Sequence, residues 1–394
     1  MKYVSIIGMG MSADTITQEG LRAIQNADAL VGAQRMLDAF ASLQMPCYAE
    51  YLPDSVLGVI VGSGHQNFAV LVSGDTGFYS AADGLAAILA DYNVTFIPGV
   101  SSLSYFFARI KQPWQDAKLL SCHGRDANLT DTVRRNSLTF TLTGGNVNAL
   151  AAQLANAGFG ALTAHIGENL GSADERIFPL TVAKLCDTLV GQLSVLLVEN
   201  PGFDTRVRCG IPDDEFIRGD VPMTKSEVRA ITLSKLALRP NAVCCDVGAG
   251  TGSATVEMAL AAYEGYVYAI DKNERSVELV KQNCRAFHIG NVSLIYGIAP
   301  DALAGLPKLN AAFIGGSGGN MPDIVSALLR NNPNVRIVIN AVALESVSAA
   351  IDAFTQNGLT PEVVQVSCAR AKAVAALHMM TAQNPVFIIS GGGI

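Results

Sequence analysis

The stretch Asp246-Val247-Gly248-Ala249-Gly250-Thr251-Gly252 decides the fold of the second half of the chain. The stretch begins at the end of the predicted strand 242–247 and leads into a helical pattern, so it connects a strand to a helix. The glycines permit a tight turn and let the backbone approach a ligand at the helix N-terminus. The next predicted strand ends in Ala269-Ile270-Asp271, which places a carboxylate 19 residues after Gly252, where a ribose-binding acid is expected. Together these features predict a nucleoside-binding site.

Short apolar runs alternate with helical patterns on both sides of this loop, which predicts α/β architecture and a doubly wound, mostly parallel sheet in the second half. The predicted strands of that half are 242–247, 266–270, 292–296, 311–314 and 335–340. Those of the first half are 3–8, 68–73, 94–98, 119–122, 138–143, 162–166 and 193–198. The tail segments 362–368 and 386–390 predict a terminal hairpin joined by an Ala-rich stretch. The turn-rich segment 200–222 separates the halves, so we predict domains at residues 1–205 and 206–394.

Three interpretations of the glycine loop follow from its spacing. A nicotinamide enzyme would carry G-x-G-x-x-G, but Ser253 stands where the third glycine would be. A purely structural turn would bind no ligand. The pattern G-x-G-x-G with a strand-ending acid resembles the class I S-adenosylmethionine (SAM) methyltransferases, in which the loop holds the amino-acid part of the cofactor and the acid binds the ribose hydroxyls.

Neighbouring loops extend this resemblance. The segments 223–229, Gly297-Ile298-Ala299-Pro300-Asp301-Ala302-Leu303 and 311–321 resemble the CbiT-type methyltransferases of cobalamin biosynthesis. The resemblance implies that the cofactor contacts Thr224, Gly248, Ala249, Gly250, Thr251, Gly252, Asp271 and Ala299, and we assign Ser317 and Gly318 to the substrate. Two alternatives stay open: Thr224 only caps a helix over 228–238, in a capping box with Glu227, and 317–319 is an ordinary flexible loop.

Three glycine-bearing loops follow strands of the first half. They are Ile6-Ile7-Gly8-Met9-Gly10, Ser73-Gly74-Asp75-Thr76-Gly77-Phe78-Tyr79-Ser80 and Ile97-Pro98-Gly99-Val100-Ser101-Ser102. Their order and spacing resemble the CbiE branch of the tetrapyrrole methylases, which implies cofactor contacts at Gly8, Gly74, Asp75, Gly77, Ser101 and Ser102. The first loop departs from the family's frequent G-x-G-P-G, because Met11 and Ser12 follow Gly10. His123 and Arg125, after another strand, are assigned to the substrate.

CbiE followed by CbiT in one chain is similar to the bifunctional, decarboxylating corrin methyltransferases. The expected fold is therefore a two-lobed tetrapyrrole methylase (class III) domain followed by a Rossmann-like class I domain. The expected function is methylation of a corrin precursor at carbons 5 and 15 with decarboxylation of the ring C acetate, using one SAM per domain and no metal. A methyltransferase for RNA or protein, or a cofactor-binding sensor with one inactive half, are the alternatives.

Composition narrows these choices. The 394 residues are 50% hydrophobic and 15% charged, which excludes a disordered chain, yet the apolar runs are too short for a membrane span. A net charge of −7 with no basic block speaks against a nucleic-acid partner. The 8 cysteines show no C-x-x-C pair and predict reduced thiols. We expect a cytoplasmic enzyme acting on a small tetrapyrrole, with no membrane partner, that self-associates as a homo-oligomer.

Overall fold

A computed structural model describes residues 2–123, 127–206 and 208–393. The chain divides into two compact units. Unit 1 comprises Met1–Asp126, Ser137–Leu150 and Leu162–Pro201, and unit 2 comprises Ala127–Asn136, Ala151–Ala161 and Gly202–Ile394. Each unit forms its own sheets and cores, as the alternation of apolar runs predicts.

The first sheet of unit 1 contains the strands β1 (Tyr3–Gly8), β2 (Ala29–Val31), β3 (Cys47–Tyr48), β4 (Asn67–Val72) and β5 (Asn93–Ile97). All pair in parallel in the order β3-β2-β4-β1-β5. Because β1 lies between β4 and β5, the loops that leave these three strands meet at one edge. This topology brings the three predicted glycine loops together.

The second sheet of unit 1 contains β6 (Ala117–Ser121), β7 (Leu138–Leu142), β8 (Thr163–Glu168), β9 (Arg176–Thr181) and β10 (Ser194–Glu199). Its order is β6-β7-β10-β8-β9, and only β6 and β7 are parallel. Phe106, Phe107 and Phe140 fill its core, with the ring of Phe140 5.7 Å from each of the other two. One parallel and one mostly antiparallel sheet confirm the expected two lobes.

Eight α-helices lie in the described part of the first 200 residues. They are α1 (Gln18–Gln25), α2 (Gln34–Leu37), α3 (Pro53–Gly62), α4 (Ala82–Ile88), α5 (Ser102–Ile110), α6 (Leu129–Arg135), α7 (Val147–Leu154) and α8 (Val182–Leu185). Of these, α6 belongs to unit 2. The apolar pattern predicts the helices α1, α4, α5 and α7. It predicts neither the short strands β2 and β3 nor the six-residue strand β9.

Unit 2 is built on one seven-stranded sheet. Its strands are β11 (Val243–Val247), β12 (Tyr266–Asp271), β13 (Val292–Tyr296), β14 (Ala311–Ile314), β15 (Arg336–Ala341), β16 (Glu362–Val366) and β19 (Val386–Gly391). Between β16 and β19 the chain forms a separate hairpin of β17 (Ala369–Val374) and β18 (Leu377–Ala382). The order is β13-β12-β11-β14-β15-β19-β16. β19 is antiparallel to β15 and β16, and all other pairs are parallel. The strand order reverses beside β11, so the glycine loop leaves the sheet where open α/β sheets bind ligands.

Five helices accompany this sheet among the described residues after 207: α9 (Ser226–Leu236), α10 (Ser253–Ala261), α11 (Glu274–Ala286), α12 (Met321–Asn331) and α13 (Leu344–Gln356). The pairing of β16 with β19 confirms the predicted terminal hairpin. The Ala-rich connection between them differs from expectation, because it forms the second hairpin β17–β18. The segment before α9 also differs from a free linker, since Ile211 and Phe216 are buried in the core of unit 2.

Candidate cofactor and substrate sites

The glycine loop after β11 adopts a backbone that side chains would disrupt. Gly248, Gly250 and Gly252 all have positive φ, at 77°, 58° and 77°. A Cβ on Gly248 would stand 2.8 Å from the backbone N and O of Gly316, in the loop after β14. The two loops can approach this closely only because neither carries a side chain at the contact. The sequence pattern therefore reflects a real steric demand at this edge of the sheet.

Asp271 braces the glycine loop from the end of β12. Its Oδ2 accepts a hydrogen bond from Gly250 N–H at 2.9 Å, and its Oδ1 accepts one from Asn273 N–H at 2.9 Å. A carboxylate can accept about four hydrogen bonds, so both oxygens retain capacity for ligand hydroxyls. Asp271, the residue predicted to bind the ribose, thus also holds the glycine loop that would contact the same ligand.

These loops enclose a cavity of about 830 Å³ in unit 2. This size lies within the range of sites for cofactors and other small ligands. The cavity brings together most of the predicted site residues of this half: its lining includes Thr224, Gly248, Ala249, Gly250, Thr251, Asp271, Ala299, Ser317 and Gly318. Gly252 is not among the lining residues; it is the N-cap of α10 and shapes the turn.

Two buried polar atoms at the loop find no hydrogen-bond partner among the described residues. One is the hydroxyl of Thr251, which lines the cavity and is 1% exposed. The other is Oδ1 of Asp246, whose Oδ2 accepts a hydrogen bond from the Thr255 hydroxyl at 2.5 Å. Buried polar groups are nearly always paired, so an unpaired hydroxyl in the cavity wall fits a ligand with polar groups. The residues present therefore suit a cofactor such as SAM.

Asp246, the first residue of the stretch that contains the glycine loop, does not line the cavity but lies near the end of β11, just before the loop in sequence. It is fully buried, and desolvation, reinforced by the nearby charge of Asp271, raises its pKa to about 7. The available signal was an acid inside an otherwise apolar strand, directly before the glycine loop. A buried acid of this kind is a common feature of functional sites.

Thr224 lines the cavity but does not cap a helix, so the capping-box interpretation is wrong. Helix α9 begins at Ser226, with Lys225 as N-cap and no side-chain cap from it. The N–H of Ser226 instead donates to Oδ1 of Asp213 at 3.0 Å, which replaces a local cap with a carboxylate from an earlier segment. Because this cap comes from a distant residue, no local spacing could predict it. Thr224 therefore remains a cavity-lining residue without a capping role.

The glycine loops of unit 1 pack against one another by backbone contact. The Gly10 and Gly74 backbones exchange hydrogen bonds of 3.0 and 3.1 Å, and a Cβ on Gly8 would lie 2.7 Å from Gly74 O and Gly99 N. Asp75 ties two of the loops, since its Oδ1 accepts from Gly77 N–H at 2.8 Å and its Oδ2 from Gly99 N–H at 3.1 Å. The structure therefore brings Gly8, Gly74, Asp75 and Gly77 together.

The two predicted serines lie where the third loop becomes α5. Ser101 is the N-cap of that helix, and its hydroxyl oxygen accepts the N–H of Ser104 at 3.0 Å. Ser102 is the first helical residue. Ser101 therefore has a capping role, and its hydroxyl also forms a hydrogen bond of 3.0 Å with the Ser104 hydroxyl.

The unusual first loop of unit 1 is closed by Thr15. Its hydroxyl oxygen accepts the N–H groups of Met11 at 2.8 Å and Ser12 at 2.9 Å and donates to Ser12 O at 2.8 Å. These bonds hold the turn at Met11 and Ser12, where the sequence departs from the pattern G-x-G-P-G.

The two predicted substrate residues of the first half follow β6. His123 is exposed, and its backbone N–H donates to the Ser121 hydroxyl at 3.4 Å. Arg125 lies outside the described residues.

Comparisons with known proteins agree with both halves of this picture. The family model described as tetrapyrrole (corrin/porphyrin) methylases matches residues 3–186, and that described as precorrin methyltransferase domain matches residues 215–391. A precorrin-6Y C(5,15)-methyltransferase [decarboxylating] from Sinorhizobium sp is 30% identical over 394 residues, which cover 98% of this chain and 95% of the relative. The chain belongs to the precorrin-6Y C5,15-methyltransferase (decarboxylating) family.

Other relatives match one half. A probable cobalt-precorrin-6B C(15)-methyltransferase (decarboxylating) from Pyrobaculum calidifontis is 46% identical over 184 residues, covering 46% of this chain and 94% of the relative. The crystal structure of a precorrin-6Y C5,15-methyltransferase from Geobacter metallireducens is 36% identical and covers 48% of this chain and 98% of its own, with a TM-score of 0.45.

Membership of the precorrin-6Y C5,15-methyltransferase family confirms the resemblance stated from the motifs and the methyltransferase class of the enzyme. It also confirms the expected fold, a tetrapyrrole methylase half followed by a second methyltransferase half. In the part of the chain that the structure describes, no helix is both long and apolar enough to cross a membrane. The individual site residues stay predictions.

Proposed function

We propose that this chain methylates a corrin precursor, precorrin-6Y, at carbons 5 and 15 and removes carbon dioxide from its ring C acetate, using SAM in each half. The observation that carries the proposal is the similarity over 98% of the chain to a decarboxylating precorrin-6Y C(5,15)-methyltransferase, which spans both glycine-loop units. The first half is assigned to carbon 5, and the second half to carbon 15 and the decarboxylation. A relative that covers 46% of this chain carries the C(15) and decarboxylating activities in its name, which is consistent with one half performing these steps.

In the second half, the residues around the glycine loop are the proposed SAM site. Bound SAM would supply an electrophilic methyl group on a sulfonium. Asp271 would accept hydrogen bonds from the ribose hydroxyls while the hydrogen bond from Gly250 N–H holds its carboxylate in place. The Thr251 hydroxyl would gain a hydrogen-bond partner from the cofactor. Thr224 and Ala299 would form further parts of the wall. This assignment uses the cavity lining and the unpaired hydroxyl together.

The mouth of the cavity suits an amphiphilic acceptor. Ile298 and Val342 line it, yet they are 57% and 56% exposed, which leaves an apolar rim in contact with water. Lys225 and Lys272 are lining residues as well, and the Lys272 ammonium reaches the loop that holds Gly318. A macrocycle with peripheral carboxylates would cover the apolar rim and pair with the lysines.

The cavity lining contains few charged groups, which agrees with a reaction that requires little acid–base catalysis. Among the described residues that line the cavity, only Lys225, Asp271 and Lys272 carry a formal charge. A reduced tetrapyrrole carbon is an enamine-like nucleophile, so methyl transfer requires alignment more than a strong base. The conjugated imine of the methylated ring can accept the electrons released as carbon dioxide leaves. Within this proposal, Ser317 and Gly318 would position the acceptor at the cavity mouth.

In the first half, the edge where β1, β4 and β5 end is the proposed second SAM site. The close backbone packing of its loops leaves no room for a side chain at Gly8 or Gly99. The exposed His123 is the proposed substrate contact of this half. Because both sites would act on one macrocycle, the same precursor is the substrate of both halves.

We further propose that the chain self-associates. The β17–β18 hairpin exposes Leu377, Met379 and Met380, which are 71%, 58% and 66% exposed. Within the described residues these two strands pair only with each other, so both outer edges are available for pairing. An exposed apolar hairpin with free edges is a natural contact between copies of one chain. Size-exclusion chromatography with light scattering would detect the oligomer, and Met380→Glu would weaken it.

The test of the proposed reaction is mass spectrometry of precorrin-6Y after incubation with the full-length protein and SAM. The expected product has gained two methyl groups and lost one carbon dioxide. Isothermal titration calorimetry on the same protein is expected to show two SAM molecules per chain. An unchanged precursor in the presence of bound SAM would refute the corrin acceptor and favour another one, such as RNA or protein.

A further inference from the structure

A fully buried arginine fixes one wall of the proposed SAM cavity. Arg229, in α9, donates from Nε to Glu257 at 2.8 Å and from Nη1 to Asp213 at 3.1 Å. Its guanidinium also donates to the backbone carbonyls of Thr224 and Ile211. The segment 221–225, which lines the cavity, is therefore held at Thr224 by its own backbone oxygen.

A second wall of the same cavity is the base of the β17–β18 hairpin. Cys368 and Gln383 line the cavity at that base, and Gln383 N–H donates to Cys368 O at 2.9 Å. Val366, at the end of β16, belongs to the same wall. The hairpin thus begins in the cavity lining and extends away from it into solvent.

Arg370 connects these two walls. It lies in β17, two residues after Cys368, and its guanidinium reaches across to the start of α9. It donates to Asp213 at 3.0 Å, to the Ser226 hydroxyl at 2.8 Å, and to both oxygens of Glu227 at 2.9 and 2.6 Å. Ser226 directly follows Lys225, the last residue of the cavity segment, so one side chain bridges the hairpin and that segment.

We propose that Arg370 is a positioning residue for the second-half cofactor site: it holds the hairpin base and the segment 221–225 at the separation that SAM binding requires. The identity of the ligand rests on the proposed function, whereas the bridge itself does not. Arg370 does not line the cavity, so it acts through the two walls rather than by touching the cofactor.

The geometry makes this bridge stronger than an ordinary exposed ion pair. Isolated surface pairs contribute little, but here one planar guanidinium contacts three side chains and grips Glu227 with two nitrogens. The hydrogen bond from Arg370 is the main cause that lowers the pKa of Glu227 to about 2, so the pair stays ionised at neutral pH. Lysine carries the same charge but cannot reproduce the fork, because its ammonium is a single point of contact.

The experiment compares Arg370→Ala and Arg370→Lys with the matched control Lys372→Ala in the full-length protein. Lys372 lies on the same strand two residues away, so its removal deletes the same charge without deleting the bridge. The SAM affinity of the second half is measured by titration calorimetry. We expect Arg370→Ala to weaken it about 5- to 10-fold, roughly the net contribution of one ordinary hydrogen bond, because the Arg370 side chain is partly exposed. Arg370→Lys should fall between Arg370→Ala and the wild type, and Lys372→Ala should leave the affinity unchanged.

Two further readouts separate positioning from general stability. Hydrogen exchange of residues 221–228, measured without ligand, should accelerate in Arg370→Ala and not in Lys372→Ala, while exchange in β11 and β14 stays as in the wild type. In turnover assays the KM for SAM should rise with kcat unchanged, since the reacting atoms are untouched. Unaltered exchange in 221–228, or an equal loss of affinity in Lys372→Ala, would overturn the inference. Failure of the proposed function is recognised differently, by a wild-type protein that does not bind SAM.

Discussion

Replacing Gly248 by alanine tests whether the glycine loop is a steric requirement of the site. Two costs are expected in the folded state. A non-glycine residue at φ 77° costs about 1–2 kcal/mol. In addition, the new Cβ would stand 2.8 Å from the Gly316 backbone, which cannot rotate away as a side chain could, and such overpacking costs about 1–3 kcal/mol. The expected destabilisation of the loop is therefore roughly 2–5 kcal/mol.

Gly305→Ala is the matched control for this prediction. Gly305 also has a positive φ, of 80°, but a Cβ there would meet no atom within 4 Å. Both variants exchange the same two residue types, so the effect of the substitution on the unfolded chain is the same for both. Gly305→Ala should show only the left-handed cost of about 1–2 kcal/mol. The difference between the variants isolates the contact with Gly316.

The assay must report on the second half alone, because a chain with two units has no single unfolding free energy. Native-state hydrogen exchange of peptides from 243–262 gives the opening free energy of β11 and α10. The single tryptophan, Trp114, lies in unit 1, and its fluorescence serves as an internal control that the first half is unaffected. We expect at least tenfold weaker SAM binding in Gly248→Ala only. Equal opening free energies and SAM affinities for the two variants would refute the steric reasoning.

Three other predictions follow from single side chains. Asp271→Ala removes the acceptor of Gly250 N–H and of the ribose, so titration calorimetry should find one SAM per chain instead of two; loss at both sites would contradict the two-site assignment. Burial raises the pKa of Asp246 to about 7, so the folded state retains its proton while the unfolded state loses it near roughly pH 4. The stability from this group is therefore complete below about pH 4 and falls as pH rises to about 7, and thermal melts of Asp246→Asn should lack that slope. Thr15→Val leaves two N–H groups of the first loop unpaired, so we expect about 1–3 kcal/mol of lost local stability and loss of methylation at carbon 5, with Thr15→Ser as the active control; a fully active Thr15→Val would show that the hydroxyl is dispensable.

Much of this fold is predictable because its signals are local. Strands β11 to β14 are mostly apolar, as expected for strands of a sheet covered on both faces, and each is followed by a loop that contains glycine or polar residues. The second-half site is predictable for the same reason, since parallel strands place their following loops at one edge. Local patterns therefore suffice to bring Gly248, Asp271 and Ala299 into one cavity.

The features that the sequence does not predict depend on contacts between distant residues. Ser226 is capped by Asp213, so the start of α9 differs from the position that the Thr224 capping pattern indicates. The short strands β2 and β3 contain three and two residues, too few to show a period. The β17–β18 hairpin is mostly exposed, so its pattern lacks the alternation of buried and exposed residues that reveals a strand.

The two halves have different folds, but in both of them an aspartate stabilises the glycine loops. In each, a carboxylate that the motifs assign to the cofactor also accepts backbone N–H groups of glycine loops: Asp271 from Gly250, and Asp75 from Gly77 and Gly99. A glycine loop loses more conformational freedom on folding than any other, so it needs such a brace to present a fixed surface to a ligand. The acid therefore contributes by preorganising the loop as well as by direct contact. For this reason an amide at either position, which retains one acceptor oxygen, should preserve more cofactor affinity than alanine, although both remove the charge.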